Sequence, residues 1–213
     1  MGMCLTRRLI SLEMSVRSTY FSRKPPEQLK KHFKQYDFTR FEDCVAATRG
    51  QDCVIMSVVQ GSGVSGIQQS STAAILPNLK IHAGLLEACA QNKVKKAVLI
   101  SSSTVYQEAS YPIREDQLDL NQPPYELYQG IGWVYRYIEQ LAKVYYQKYG
   151  LQIGIIRTAN IYGPYDRFDD EKSHVIPALI KRALCKENPF VVWGNGNTIR
   201  DFVYVDDLVE GVL

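Results

Sequence analysis

Residues 97–106 read Ala-Val-Leu-Ile-Ser-Ser-Ser-Thr-Val-Tyr. The run Ala97 to Ser101 is short and apolar with no alternation, the pattern of a strand buried on both faces. Such strands belong to parallel sheets with helices on either side. The run ends abruptly in hydroxyls, and open α/β sheets bind ligands beyond the C-terminal ends of their strands. This stretch therefore predicts a fold class and the place of its chemistry together.

The same alternation extends outward in both directions. Ile131 to Tyr149 reads as a long helix feeding Leu151 to Arg157 (Leu-Gln-Ile-Gly-Ile-Ile-Arg), a further strand. Before residue 97, Cys53 to Val59 is a buried strand and Ala73 to Gln91 a helix, with Pro77 marking its entry. Earlier still come a helix from Leu5 to Met14, a strand from Ser15 to Phe21 and a short helix from Phe41 to Ala47. Beyond the long helix, Ile176 to Ala183 is a helix and Phe190 to Trp193 a short strand, followed by the turn Gly194-Asn-Gly-Asn197. Strands and helices in this order predict an α/β fold with a doubly wound, Rossmann-like parallel sheet.

The predicted order opens on a helix, where such a sheet normally opens on a strand and a glycine loop. Gly2-Met-Cys-Leu-Thr-Arg-Arg-Leu reads as the last glycine of a phosphate loop and the helix behind it. The first strand is therefore expected to be missing. Residues 1–164 are expected to form an incomplete NAD(P)-binding domain. Residues 165–213 are expected to begin a nucleotide-sugar-binding region that returns to the first domain.

Composition narrows the function classes. The chain has 213 residues, 46% hydrophobic and 22% charged, an ordinary globular balance. Its 25 basic and 22 acidic residues give a net charge of +3, which argues against a dedicated nucleic-acid binder. No stretch approaches the roughly 20 consecutive apolar residues of a membrane span. The N-terminal apolar run is too interrupted for a signal peptide, so a cytoplasmic protein is expected. Cys4, Cys44, Cys53, Cys89 and Cys185 include no CxxC pair, which implies neither a metal site nor a disulfide framework.

Two features bear on a dinucleotide. Gly61-Ser-Gly63-Val-Ser-Gly66 has the GxGxxG spacing after a strand, but the next strand ends in serines rather than the acid that holds a ribose. A loop lining a cofactor edge is the better reading. After the strand Ser15 to Phe21 come Arg23 and Lys24, and basic residues there favour the extra phosphate of NADP over NAD.

With these residues in place, the chain resembles the extended short-chain dehydrogenases that modify nucleotide sugars, most closely their GDP-fucose synthase branch. The resemblance rests on Leu99-Ile-Ser-Ser-Ser-Thr-Val-Tyr106, Thr158-Ala-Asn-Ile-Tyr-Gly-Pro164, Ser173-His-Val-Ile-Pro-Ala-Leu179, Val192-Trp-Gly-Asn-Gly196 and Arg200-Asp-Phe-Val-Tyr-Val-Asp-Asp207. It implies an NAD(P)-dependent epimerase/reductase acting on a nucleotide sugar, with a GDP-sugar favoured. By the same resemblance Ser102 is catalytic, Thr104 lines the sugar pocket, and His174 is the acid/base for epimerisation. An imidazole suits that task because its pKa lies near the working pH. Ser101, Asn160, Gly2, Arg23 and Asp37 fall at cofactor positions, Asp37 against the adenine. Arg182, Trp193 and Arg200 fall at nucleotide-diphosphate and base contacts. The resemblance also implies a homodimer joined through helices that include the long one.

Two departures stand against the pattern. The family's dehydratases carry an Asp-Glu pair where this chain has Ser103 and Thr104, which disfavours dehydration. The catalytic Tyr-x-x-x-Lys falls on Ile131 and Tyr135, neither of which can do its assigned job. Tyr128, a turn earlier, and Tyr135 are the phenols left to serve. A catalytically inactive relative that still binds a nucleotide, or a truncated product without activity, therefore stays open beside the enzyme reading.

Overall fold

The computed structural model describes residues 1–61, 72–168, 173–192, 194–197 and 199–213. In chain order the elements are α1 (Gly2–Ser11), β1 (Ser18–Tyr20), a 3-10 turn (Glu27–His32), β2 (Phe33–Gln35), α2 (Phe41–Thr48), β3 (Cys53–Met56), α3 (Ile75–Gln91) and β4 (Lys96–Ser102). There follow α4 (Gln129–Tyr149), β5 (Gln152–Thr158), β6 (Asn160–Tyr162), α5 (Val175–Leu184), β7 (Phe202–Tyr204) and α6 (Val205–Val212).

The centre of the molecule is the parallel sheet β3-β4-β5. Val98 of β4 stands between Ile55 and Gly154, and Leu99 between Met56 and Ile155. Helices cover both faces, as a doubly wound sheet requires. On one side Leu85 and Leu86 of α3 and Val134 and Ile138 of α4 pack with Met56 and Leu99. On the other, Cys4 and Leu5 of α1 meet Ile100 and the α6 residues Val205, Leu208, Val209 and Val212. Leu86, Leu99 and Ile138 are wholly buried. Each such side chain contributes about 1.5–3 kcal/mol by leaving water.

Local chemistry explains the long helix. Val134, Ile138 and Ala142 recur at helical spacing and all face inward. The helix stops at Gly150, whose φ of 69° is the left-handed cap that glycine adopts without strain, and whose N–H donates to Tyr146 O. Gly150 thus reverses the chain directly into β5.

The single sheet expected from the sequence is divided. Among the described residues β1 pairs with β2 and β6 with β7, so the parallel strands form three sheets rather than one. Between β1 and β3 lies an open slot of about 2420 Å³, lined by Ser18–Tyr20 on one side and Cys53–Met56 on the other. This is the place where a Rossmann order sets its first strand.

Several element boundaries also move. The strand predicted over Ser15–Phe21 shortens to Ser18–Tyr20, because pairing with the short β2 limits it. The helix predicted from Leu5 begins at Gly2 and ends at Ser11. Residues 190–192 form no strand. Instead Arg182 of α5 donates to Val191 O and lies over the Phe190 ring, which holds the segment against its own helix. Gly63 and Gly66 of the glycine-rich loop lie outside the described residues.

Candidate functional site

At the C-terminal end of β4 the hydroxyls turn two ways. Ser101 is buried and donates to Glu139 Oε1 of α4 at 2.6 Å. Ser102 points to the other side, where its Oγ accepts from Thr104 N at 3.2 Å and from Thr104 Oγ1 at 3.0 Å. This local turn aligns Ser102 and Thr104 as one half-buried hydroxyl pair at the strand end. Period-two alternation is the cause, since neighbouring strand residues face opposite sides of a sheet.

Beneath the pair lies a network that sequence reasoning missed. Arg157, near the end of β5, meets Glu139 through Nη2 at 2.8 Å and Nε at 3.1 Å. Its Nη1 reaches the Tyr106 hydroxyl at 3.1 Å, and its guanidinium lies 5.2 Å from that ring's centre. The Glu139 hydrogen bonds push the Arg157 pKa further up, so the guanidinium stays charged. An acid on the inward face of α4 and an arginine ending an apolar strand were the available signals.

The start of α4 approaches this strand end closely. A Cβ on Gly132 would sit 2.5 Å from Thr104 O and 2.6 Å from a Pro124 carbon. Only glycine fits the contact, which holds the start of the helix against the Thr104 backbone. Tyr128 precedes Gly132 by about one turn, and its hydroxyl accepts from Arg200 Nη1 at 3.2 Å. The structure thus joins two residues that the sequence had assigned to separate roles.

Positions 131 and 135 do something else. Ile131 packs against the apolar core. Tyr135 is 5% exposed and lies tilted against the His82 ring at 5.5 Å. Burial pushes its pKa up to about 12. The expectation that Tyr135 offers its phenol is therefore corrected: the side chain belongs to the helix–helix packing and stays neutral.

His174, at the start of α5, has an exposed ring whose Nδ1 is 3.5 Å from Asp166 Oδ1, and Asp166 Oδ2 is buried with no hydrogen-bond partner among the described residues. Asn160 Nδ2 donates to Asp201 O at 2.9 Å and ties β6 to the approach of β7. Arg182 is engaged by Glu187, by Val191 O and by the Phe190 ring, so its guanidinium braces a turn. Trp193 lies outside the described residues.

Three of the candidate cofactor residues lie near the C-terminal ends of β1, β2 and β3. Gly2 begins α1, and a Cβ there would make only an ordinary 3.7 Å contact with Ser57 Oγ. Arg23 follows β1 and donates to Tyr165 O at 3.0 Å. Asp37 accepts from Thr39 Oγ1 at 2.7 Å and Thr39 N at 3.0 Å, and these bonds hold its carboxyl below the usual range. Gly2, Arg23 and Asp37 all line the large slot.

The description "NAD dependent epimerase/dehydratase family" matches residues 1–213. The chain belongs to that family. Among curated relatives, GDP-L-fucose synthase of Escherichia coli (strain K12) is 30% identical over 167 residues, covering 74% of this chain and 50% of that protein. GDP-mannose 3,5-epimerase of Arabidopsis thaliana is 28% identical over 184 residues, covering 85% of this chain and 48% of that protein. The chain spans about half the length of these relatives. Among solved structures, UDP-glucose 4-epimerase from Thermotoga maritima with UDP-glucose superposes with a TM-score of 0.81 at 24% identity, over 98% of this chain and 67% of that one. A GDP-L-fucose synthetase from Naegleria fowleri bound to NADP gives 0.73 at 19% identity, over 99% and 67%. At such identities the structures establish the Rossmann-like fold of this epimerase/dehydratase family member.

Proposed function

We propose that this family member acts as an NAD(P)-dependent nucleotide-sugar epimerase/reductase of the GDP-fucose synthase type. The observation that carries the reading is the hydroxyl pair Ser102–Thr104 under the start of α4, with the Tyr128–Arg200 pair one turn away. The curated relatives above are named for GDP-sugars, which supports a GDP-sugar substrate.

The residues at the slot's upper end fit a dinucleotide. The free first turn of α1 at Gly2 presents N–H groups, which favour phosphate oxygens. Arg23 supplies a cation suited to the extra phosphate of NADP, and Asp37 an acceptor for an adenine amino group. A bound nicotinamide would supply the hydride chemistry. The chain's own groups do the rest. Ser102 and Thr104 hydrogen-bond the sugar oxygen whose charge changes, and Tyr128 carries a proton to or from it. His174, beside Asp166, handles the proton at the epimerised carbon, and Arg200 faces the diphosphate.

A second reading is nucleotide binding without turnover. Ile131 in the core and the buried, neutral Tyr135 favour it, because these two positions do not supply the tyrosine–lysine couple. Thermal unfolding with NADPH and with GDP, followed by turnover assays on GDP-4-keto-6-deoxymannose, separates the two. Stabilisation by both ligands with turnover that is lost in Ser102→Ala and His174→Phe supports the enzyme. Stabilisation without turnover leaves the binding protein, and no stabilisation by either ligand rejects both.

A further inference from the structure

On the proposed reading of Ser102, Thr104 and Tyr128 as the groups that meet the sugar, we propose that Arg136 is the positioning residue of the site. Its guanidinium binds both limbs of the loop between Thr104 and Tyr128, and so sets where those two hydroxyls stand.

Arg136 lies on α4, one turn beyond Gly132 and about two beyond Tyr128. The residue is 2% exposed. Burying a guanidinium costs free energy that only hydrogen bonds or a partner charge can offset. Among the described residues Arg136 pairs with no carboxylate. Glu139 is held by Arg157 and Ser101, and Asp119 accepts from Asn121 and Gln122. Instead Nε donates to Val105 O at 2.6 Å and Nη1 to Gln122 O. Trp133 covers the guanidinium, with its ring centre 4.8 Å from Cζ.

Those two carbonyls belong to different limbs. Residues 104–105 lead out of the hydroxyl turn, and residues 122–124 lead back to the start of α4. Gly132 lets both limbs approach, at Thr104 O and at Pro124. Arg136, on the same stripe of the helix, supplies the directed bonds that keep them there. The limbs also meet each other, where Tyr125 N donates to Tyr106 O at 3.4 Å and Gln107 bridges to Pro124. Tyr125 in turn lies against the Tyr128 ring, with centres 6.0 Å apart. Any spreading of the limbs is therefore passed to the Thr104 turn on one side and to Tyr128 on the other.

Shape makes the role specific to arginine. A guanidinium presents its N–H groups in a rigid fork, whereas a lysine ammonium is a point charge on a flexible stem. A methionine of similar length fills the space at less desolvation cost and holds neither carbonyl.

The test places a fluorotyrosine at position 128 alone and follows its fluorine NMR resonance in the whole chain. This readout needs no turnover, so failure of the enzyme reading and failure of this inference are distinguishable. Arg136→Lys and Arg136→Met should each shift or broaden the resonance while urea unfolding stays cooperative. Arg136→Ala should do the same, and added ethylguanidinium, which replaces the atoms removed, should return the resonance to the parent's position. Where the parent turns over, Arg136→Lys should lower kcat about tenfold or more with KM within about twofold. A parent-like resonance in Arg136→Lys and Arg136→Met, whatever their stability, overturns the proposal and leaves Arg136 a packing residue. An unchanged kcat in Arg136→Lys, or ethylguanidinium that restores stability without restoring the resonance, overturns it as well.

Discussion

Arg157 Nη2 lies 2.8 Å from Glu139 Oε2, and the Glu139 side chain is only 3% exposed. The pair links the end of β5 to the inner face of α4, directly beneath the hydroxyls at the end of β4. Breaking a buried pair from one side leaves the other charge uncompensated, at about 3–5 kcal/mol. Glu139→Ala should lower stability by about that amount in urea unfolding. Glu139→Gln should cost less, because its amide oxygen still accepts from Ser101. Equal losses for the two variants would mean that packing, not charge, is what Glu139 provides.

His82 gives the fold an acid sensitivity. Its ring is fully buried and neither nitrogen has a hydrogen-bond partner among the described residues, and burial pulls its pKa down to about 4 from 6.5. The unfolded chain therefore takes up the proton first as pH falls. The contribution to stability is complete above about pH 6.5 and declines toward pH 4, by about 3 kcal/mol in total. Between pH 7 and pH 4 the parent should lose about 3 kcal/mol more stability than His82→Leu, read from urea unfolding at each pH. Parallel curves would show that His82 is not the group titrating.

Gly132 should resist any side chain. A Cβ at 2.5 Å from Thr104 O forces backbone apart, which predicts a loss of about 2 kcal/mol for Gly132→Ala. The stability change is read by urea unfolding. A neutral result would mean that α4 can slide away from the β4 end without cost.

Tyr128 separates chemistry from stability. Its hydroxyl meets Arg200 on the surface, where a single hydrogen bond contributes little. Tyr128→Phe should shift stability by under about 0.5 kcal/mol. If Tyr128 moves the proton in the proposed reaction, turnover should fall about 100-fold. Unchanged turnover would remove it from the chemistry.

Arg23 tests the choice of cofactor. The residue is exposed and donates to the Tyr165 carbonyl. Arg23→Ala should weaken NADPH about tenfold relative to NADH in a binding titration, with little change in Tm. Equal weakening of both cofactors would assign it to general packing of the loop.

Much of the fold was legible because its signals are local. The apolar strand Ala97–Ser101 and the helix running to Tyr149 announce themselves by periodicity, and both formed nearly where the pattern put them. The short strands β2, β6 and β7 were not foreseen, since three-residue strands carry almost no periodic signal. Phe190–Trp193 looked like a strand because it is apolar, yet Arg182 reaches across to hold residue 191 elsewhere. The hydroxyls that end β4 were readable from the sequence as a candidate site, and Ile131 and Tyr135 as departures from the tyrosine–lysine pattern. That Ser101 turns inward onto Glu139 while Ser102 turns to Thr104 came only from the structure.

The sequence by itself determined the α/β class, the order of the principal strands and helices, and the family, because each rests on residues adjacent in the chain. Only the tertiary structure decided the rest. It buried Tyr135 against His82, joined Tyr128 to Arg200 across the chain, locked Arg157 onto Glu139 and left β1 and β3 facing an open slot. Each of these depends on groups distant in sequence that meet only once the helices cover the sheet. Periodicity specifies which face of an element is apolar, not which charge or hydroxyl will lie opposite it.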